Sequence, residues 1–155
     1  MQLRHDMIEC FVVRPAGGGF EVLQLRRAAN DYMGGLWHAV AGRMQRDETA
    51  VAACLRELRE EAGLTAAELY CLDRVGQFYM PAADILWHCV LFVAVVEGGA
   101  QVVVNDEHDA FRWLAAEGAA KHFTWPSDRE ALAQVQEQIL SDGPAKPYMR
   151  VKLDP

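Results

Sequence analysis

Apolar positions along the chain keep two rhythms. Residues 7–14 (MIECFVVR) are almost unbroken in their apolar character, while residues 20–25 (FEVLQL) alternate with polar ones. A near-continuous run fits a strand buried on both faces, and a period of two fits a strand buried on one. Pro15-Ala16-Gly17-Gly18-Gly19 between them is turn chemistry, so the pair predicts a hairpin. Residues 30–35 read as loop, 36–40 as a short strand, and 42–47 as a polar loop. At 48–62 the rhythm changes to helical spacing, with Thr49 as a candidate N-cap and Gly63 in the position that follows a helix end. Further strands are expected at 68–79, 85–96, 101–104 and 110–114. A last helix is expected at 127–140, closed by Asp142-Gly143-Pro144. Runs of strands with two or three helices predict an α/β (α+β) chain, as an α+β domain or an α/β/α sandwich.

Length and composition narrow this further. The 155 residues contain no repeat or linker and suit one domain spanning 1–155, and 52% apolar content is enough for a packed core. The longest apolar run, residues 89–96, is too short to span a bilayer, so no membrane partner is expected. The first nine residues carry Arg4, Asp6 and Glu9 and lack the apolar stretch of a signal peptide, which makes a cytoplasmic location the expectation. Cys10, Cys54, Cys71 and Cys89 form no C-x-x-C pair and read as small buried hydrophobes with free thiols. The five histidines show no zinc spacing. A net charge of −7 argues against nucleic acid as a partner. It still permits a polyphosphate if divalent cations stand between the two sets of negative charge.

Candidate chemistry sits in residues 42–64. On a helix, Glu57, Glu60 and Glu61 fall at i, i+3 and i+4, so three carboxylates share one face. A solvated surface helix could carry them, because Arg56 and Glu60 are a favourable pair in their own right. Hard oxygen donors crowded on one face equally suit Mg²⁺ or Mn²⁺. The wider spacing separates the two readings. Gly42, Glu48, Arg56, Glu57, Glu60, Glu61 and Gly63, with Leu58 and Leu64 in two aliphatic slots, reproduce G-x5-E-x7-R-E-aliphatic-x-E-E-x-G-aliphatic. At roughly 5–7% per residue type, such a match arises by chance on the order of once in a million chains of this length.

In these positions the segment resembles the signature of the Nudix hydrolases. The resemblance implies a Nudix-type α/β/α sandwich around a mixed β-sheet and hydrolysis of a phosphoanhydride bond with Mg²⁺, for which Mn²⁺ can substitute. It implies Glu57, Glu60 and Glu61 as metal ligands, with the carbonyl of Ala41 as an extra one. Arg56 would orient the carboxylates, Glu48 would fix the loop against the helix, and Gly42 and Gly63 would serve the backbone. Glu107, in Asn105-Asp106-Glu107-His108, matches the downstream glutamate that relatives use as base or ligand. Either Glu57 or Glu107 could take the proton. Arg27 resembles an arginine that relatives place near the substrate phosphates.

The entry Trp37-His38-Ala39-Val40-Ala41-Gly42 replaces the commoner Pro-Gly-Gly. With the stretch Asn105 to Leu114 and Trp125, it resembles the branch that cleaves dihydroneopterin triphosphate or (deoxy)nucleoside triphosphates to a monophosphate and pyrophosphate. Trp37, His38, Phe78, Tyr79 and Trp87 are candidates for contact with a base or pterin ring. Hydrolysis of ADP-ribose, a nucleotide sugar or a dinucleoside polyphosphate is the alternative, although Pro81 is one position away from the proline of ADP-ribose-cleaving relatives. A Nudix-fold binding module without catalysis is the reading from another class, and such modules typically lose carboxylates that this chain keeps. The implied partner is a small nucleotide-like molecule, and a homodimer is allowed.

Overall fold

In the computed structural model, which describes residues 1–153, one long strand organises the sheet. β1 (Gln2–Ala16) continues into β2 (Gly19–Arg27) through a turn at Gly17 and Gly18, both at positive φ. β3 (Trp37–His38) and β4 (Val40–Arg43) follow, then helix α1 (Ala50–Ala62), β5 (Glu68–Met80), β6 (Ile85–Val95) and β7 (His108–Ala115). The chain closes with α2 (Ala116–Ala119), α3 (Pro126–Gln134), α4 (Lys146–Met149) and β8 (Arg150–Val151). The strand order is β3-β2-β1-β6-β5-β8, with β4 paired to β1 and β7 paired to β2. β1 and β6 run parallel while the other pairs are antiparallel, so the sheet is mixed.

Both sheet faces are covered, which explains why β1 and β6 read as nearly continuous apolar runs. Ile8, Cys10, Val12, Leu23, Leu25, Phe92 and Ala94 pack against Ala53, Cys54, Leu58 and Ala62 of α1. On the opposite face, Phe11, Val13, Val22, Leu91 and Val93 pack against Phe123 and against Ala131, Leu132, Val135 and Ile139. The result is the expected α/β/α sandwich. All four cysteines carry free thiols, with Cys10, Cys54 and Cys89 buried. No helix among the described residues is long and apolar enough to cross a membrane.

Three sequence expectations need correction. Residues 101–104 form no strand: Val102 and Val104 pack onto the α1 cluster, and the Val103 N–H donates to the Ala62 carbonyl at 2.9 Å. Their apolar side chains thus cover a helix end instead of extending the sheet. Residues 42–47 are not all loop, because Gly42 and Arg43 complete β4 and pair with Ile8 and Met7 of β1. The last helix starts at Pro126, in the first helical position that tolerates the missing N–H, and widens to a π-helical turn over Val135–Leu140.

The α3 face holds two carboxyl groups. Glu9 lies between Met7 and Phe11 in β1, opposite Ala41 and Leu91, and Asp128 stands in the first turn of α3. Burial pushes the pKa of both groups up, and the Asp128 charge raises that of Glu9 further. A carboxyl whose folded pKa is raised stabilises the fold most fully below the ordinary carboxylate range. That contribution is lost as pH rises through the folded value. Glu9→Gln should therefore raise the thermal midpoint by roughly 3–8 °C at about pH 8.5 and by little at about pH 4.5. Melting both proteins across that range checks it, and an equal gain at both ends would assign the effect to packing.

Candidate active site

Helix α1 is punctuated by its own sequence. The Thr49 hydroxyl accepts from the Ala52 N–H at 3.1 Å, and Gly63 ends the helix at φ 67°, a left-handed conformation that suits glycine. Leu58 and Ala62 face the core, which leaves Arg56, Glu57 and Glu60 toward the loop of Glu48 and Glu61 toward β4.

Arg56 is the hub of this face. Its Nε and Nη2 donate to the two oxygens of Glu48 at 2.8 and 2.9 Å, and Nη1 donates to Glu57 at 2.7 Å and Glu60 at 3.1 Å. Nη2 also reaches the Arg43 carbonyl at 3.0 Å, so the planar fork ties helix, loop and β4 together. The Arg56 bonds, with a further N–H from Gln45, hold the Glu48 pKa down at about 2. Gly42 allows β4 to lie against this cluster, since a methyl group there would collide with the Glu57 carboxylate.

Glu61 differs from its neighbours. It is only 2% exposed, and one carboxylate oxygen accepts from the Ala41 N–H at 3.1 Å. Burial pushes its pKa up to about 8 against the effect of that N–H, and the charges of Glu57 and Glu107 add to the rise. Burial likewise raises the pKa of Glu57, with Arg56 opposing and Glu60 and Glu107 adding. Glu107 is exposed in the turn before β7, and its charge contributes to the raised pKa values of Glu57 and Glu61. Arg27, at the end of β2, bonds Asp31 at 2.9 Å, and its positive charge reaches Glu61.

Beside this cluster lies a histidine pair. His38 in β3 and His108 in β7 are 8% and 4% exposed, with their Nε2 atoms 2.9 Å apart. His108 Nδ1 meets the Asn105 side-chain oxygen at 2.9 Å. Burial, with the nearby Arg27 charge, depresses the His38 pKa to about 3 and the His108 pKa to about 4, so both rings are neutral at ordinary pH.

Hydrogen bonds and close approach bring together Ala41, Gly42, Glu48, Arg56, Glu57, Glu60 and Glu61, with the charges of Arg27 and Glu107 acting on Glu61, His38 paired with His108 beside them, and Gly63 at the far end of α1 against Val103. Three of the candidate ring-binding aromatics stand on the other face of the sheet. By strand alternation Trp37, Phe78 and Trp87 point to the α3 face. Phe78 stacks on Trp87 with ring centroids 6.3 Å apart, and the guanidinium groups of Arg4 and Arg43 lie 5.3 and 5.4 Å from the Trp87 ring. Trp37 carries the Arg112 guanidinium at 4.1 Å. Tyr79 bonds Asp84 at 2.9 Å. The partners that sequence reading missed are Asp31 for Arg27 and His108 for His38. No local pattern flags the second pair, because its members are 70 positions apart.

The cluster can be judged as a cation site from its donors. All are hard oxygens, and Glu57, Glu60 and Glu61 each give one oxygen to Arg56 or Ala41 while the other has no hydrogen bond among the described residues. No three carboxylates of the described residues converge tightly enough to form a ready coordination cage, because Glu57 and Glu60 turn toward Arg56. The chemistry nevertheless fits Mg²⁺, which binds through a few carboxylates and keeps several waters. A buried carboxyl crowded by two like charges also calls for a cation.

Comparison with known proteins gives the family and the fold. The family model described as NUDIX domain matches residues 3–135. An octanoyltransferase of Myxococcus xanthus is 32% identical over 123 residues, covering 78% of this chain and 34% of that protein. An 8-oxo-(d)GTP phosphatase of Mycolicibacterium smegmatis is 30% identical over 96 residues, covering 62% of this chain and 29% of its own. The chain thus spans about a third of the length of these curated relatives. Among solved structures, the E. coli dihydroneopterin triphosphate pyrophosphohydrolase superposes with a TM-score of 0.65 at 26% identity, covering 88% of this chain and 96% of that one.

Proposed function

Since this chain belongs to the NUDIX domain family, we propose that it hydrolyses a phosphoanhydride bond of a nucleoside triphosphate-like small molecule. The substrate class is a (deoxy)nucleoside triphosphate or dihydroneopterin triphosphate, cleaved to a monophosphate and pyrophosphate. One observation carries the reading: Arg56 binds Glu48, Glu57 and Glu60 at once, while Glu61 is buried one turn from Glu57 with its carboxylate on the Ala41 N–H.

Mg²⁺, or Mn²⁺ in its place, would be held by Glu57, Glu60 and Glu61, with the Ala41 carbonyl and Glu107 as further ligands, and would neutralise phosphate charge and lower the pKa of the attacking water. The chain's own residues do the rest. Arg56 fixes the carboxylates of Glu57 and Glu60, and Glu48 locks Arg56 in turn. The Ala41 N–H sets the orientation of Glu61. Glu57 or Glu107 takes the proton from water as it attacks phosphorus. Arg27, with one Nη already on Asp31, has donors left to steady a departing phosphate oxygen. The Trp37 to Gly42 entry and the Glu107 to Leu114 stretch support the triphosphate class, as does the likeness to triphosphate-cleaving relatives.

The test is turnover of a panel of nucleotides, dihydroneopterin triphosphate and ADP-ribose with Mg²⁺ in ¹⁸O-labelled water. Triphosphates should be preferred, with pyrophosphate released. Label found only in orthophosphate, or preference for ADP-ribose over every triphosphate, would overturn the assigned substrate and bond. Tight ligand binding without turnover of any compound would favour a binding module.

A further inference from the structure

We infer that His38 and His108 are positioning residues that hold Glu107 against the helix glutamates. This inference rests on the reading of Glu107 as base or ligand given above. Glu107 is exposed and sits in a turn, where repulsion from Glu57 and Glu61 would swing it outward. Its own backbone is tied down, since the Glu107 carbonyl accepts from the Ala28 N–H at 2.9 Å. The turn is closed by the His108 N–H, which donates to the Asn105 carbonyl at 3.1 Å.

The neighbouring side chain completes the tether. His108 is buried although Glu107 beside it is exposed, and its ring is held at both nitrogens. With the Asn105 oxygen accepting from Nδ1–H, the His108 Nε2 carries a lone pair, and His38 must donate to it from its own Nε2. Each ring's hydrogen is thus dictated by its partner, just as a hydrogen bond to the second ring nitrogen fixes the tautomer and orientation of a metal-binding histidine. His38 is itself fixed in β3, opposite Leu25 of β2. The pairing of β2 with β7 is irregular at this point: Ala110 opposes Arg26 and His108 opposes Arg27, leaving Asp109 as the extra residue. Such a bulge re-aims the side chains beside it, here putting His108 opposite Arg27 with its ring buried.

The test compares wild type, His38→Leu, His38→Gln, Glu107→Gln and the double variant His38→Leu with Glu107→Gln. Three quantities are read: kcat and KM for a triphosphate, and the Mn²⁺ dissociation constant by calorimetry. His38→Leu should lower kcat and weaken Mn²⁺ by about 10-fold each with KM little changed. The amide N–H of His38→Gln can donate to the bare His108 nitrogen, so this variant should stay within about 3-fold of wild type. In the Glu107→Gln background, His38→Leu should change nothing further. Losses that multiply in the double variant, or equal losses for Leu and Gln, would overturn the inference. So would a His38→Leu protein indistinguishable from wild type. Should His38→Leu not fold, Asn105→Ala carries the same expectations. If wild type turns over no phosphoanhydride, the hydrolase reading fails, and the Mn²⁺ measurements still decide the tether.

Discussion

Glu61→Gln should lower kcat by on the order of 10²–10⁴ while the thermal midpoint stays level or rises. The two halves have separate physical origins. Glu61 is 2% exposed, and its one hydrogen bond among the described residues comes from the Ala41 N–H. A glutamine side-chain oxygen can accept that same N–H in nearly the same volume, so packing and bonding survive. What disappears is a negative charge that burial already disfavours, with Glu57 and Glu107 adding their repulsion. Because the folded pKa is raised to about 8, ionisation of Glu61 erodes stability as pH climbs from the ordinary carboxylate range toward that value. The amide escapes this loss, so its stability advantage should widen over the same range. Chemistry suffers because a neutral amide is a poor ligand for a hard cation and cannot exchange a proton. Steady-state kinetics with Mg²⁺ and paired thermal melts without it provide the check. An unfolded variant would show that the carboxylate is structural.

The parts legible in the sequence are those whose determinants are local. Thr49 and Gly63 bracket α1, and the i, i+3, i+4 glutamates declare a shared face before any tertiary contact is known. Covered faces on both sides follow from the unbroken apolar runs of β1 and β6. Where long-range packing decides, the pattern misleads. Residues 101–104 have strand composition, yet their valines serve the end of α1, where a backbone bond from Val103 to Ala62 replaces a sheet partner. Gly42 and Arg43 look like loop, yet β1 offers an open edge at Met7 and Ile8 that they fill. In the site, Arg56, Glu57, Glu60 and Glu61 are legible because they lie within one helix. The His38–His108 contact is not, since it depends on both β3 and β7 pairing with β2 and on a bulge that no residue type announces. The aromatics show the limit of composition as a guide: ring-bearing residues suit a base, but strand alternation sends Trp37 and Trp87 to the face away from the carboxylates.

Removing divalent cations should abolish turnover, by a factor of at least about 10³ in excess EDTA. The chain carries a net charge of −7, and Glu57, Glu60 and Glu61 stand on the α1 face where the proposed function puts the phosphates, with the Glu107 charge acting on two of them. Two like unit charges 4 Å apart repel by about 4 kcal/mol at the effective dielectric of a protein surface. A triphosphate approaching several carboxylates therefore meets a barrier that the nearby cations do not offset. Arg56 is already shared among Glu48, Glu57 and Glu60, and Arg27 is paired with Asp31. The same crowding predicts a second readout that needs no substrate. A cation that binds the assembled carboxylates and not the unfolded chain should, at about 100 times its dissociation constant, stabilise the fold by about 2.7 kcal/mol. For a chain of this size that corresponds to a rise in thermal midpoint of several degrees, on the order of 5–10 °C. Glu61→Gln should show a much smaller rise, because it removes both a ligand and part of the repulsion that the cation relieves. Full turnover in EDTA would sink the reading of these glutamates as a cation site. Equal Mg²⁺ shifts in wild type and variant would place any bound cation elsewhere.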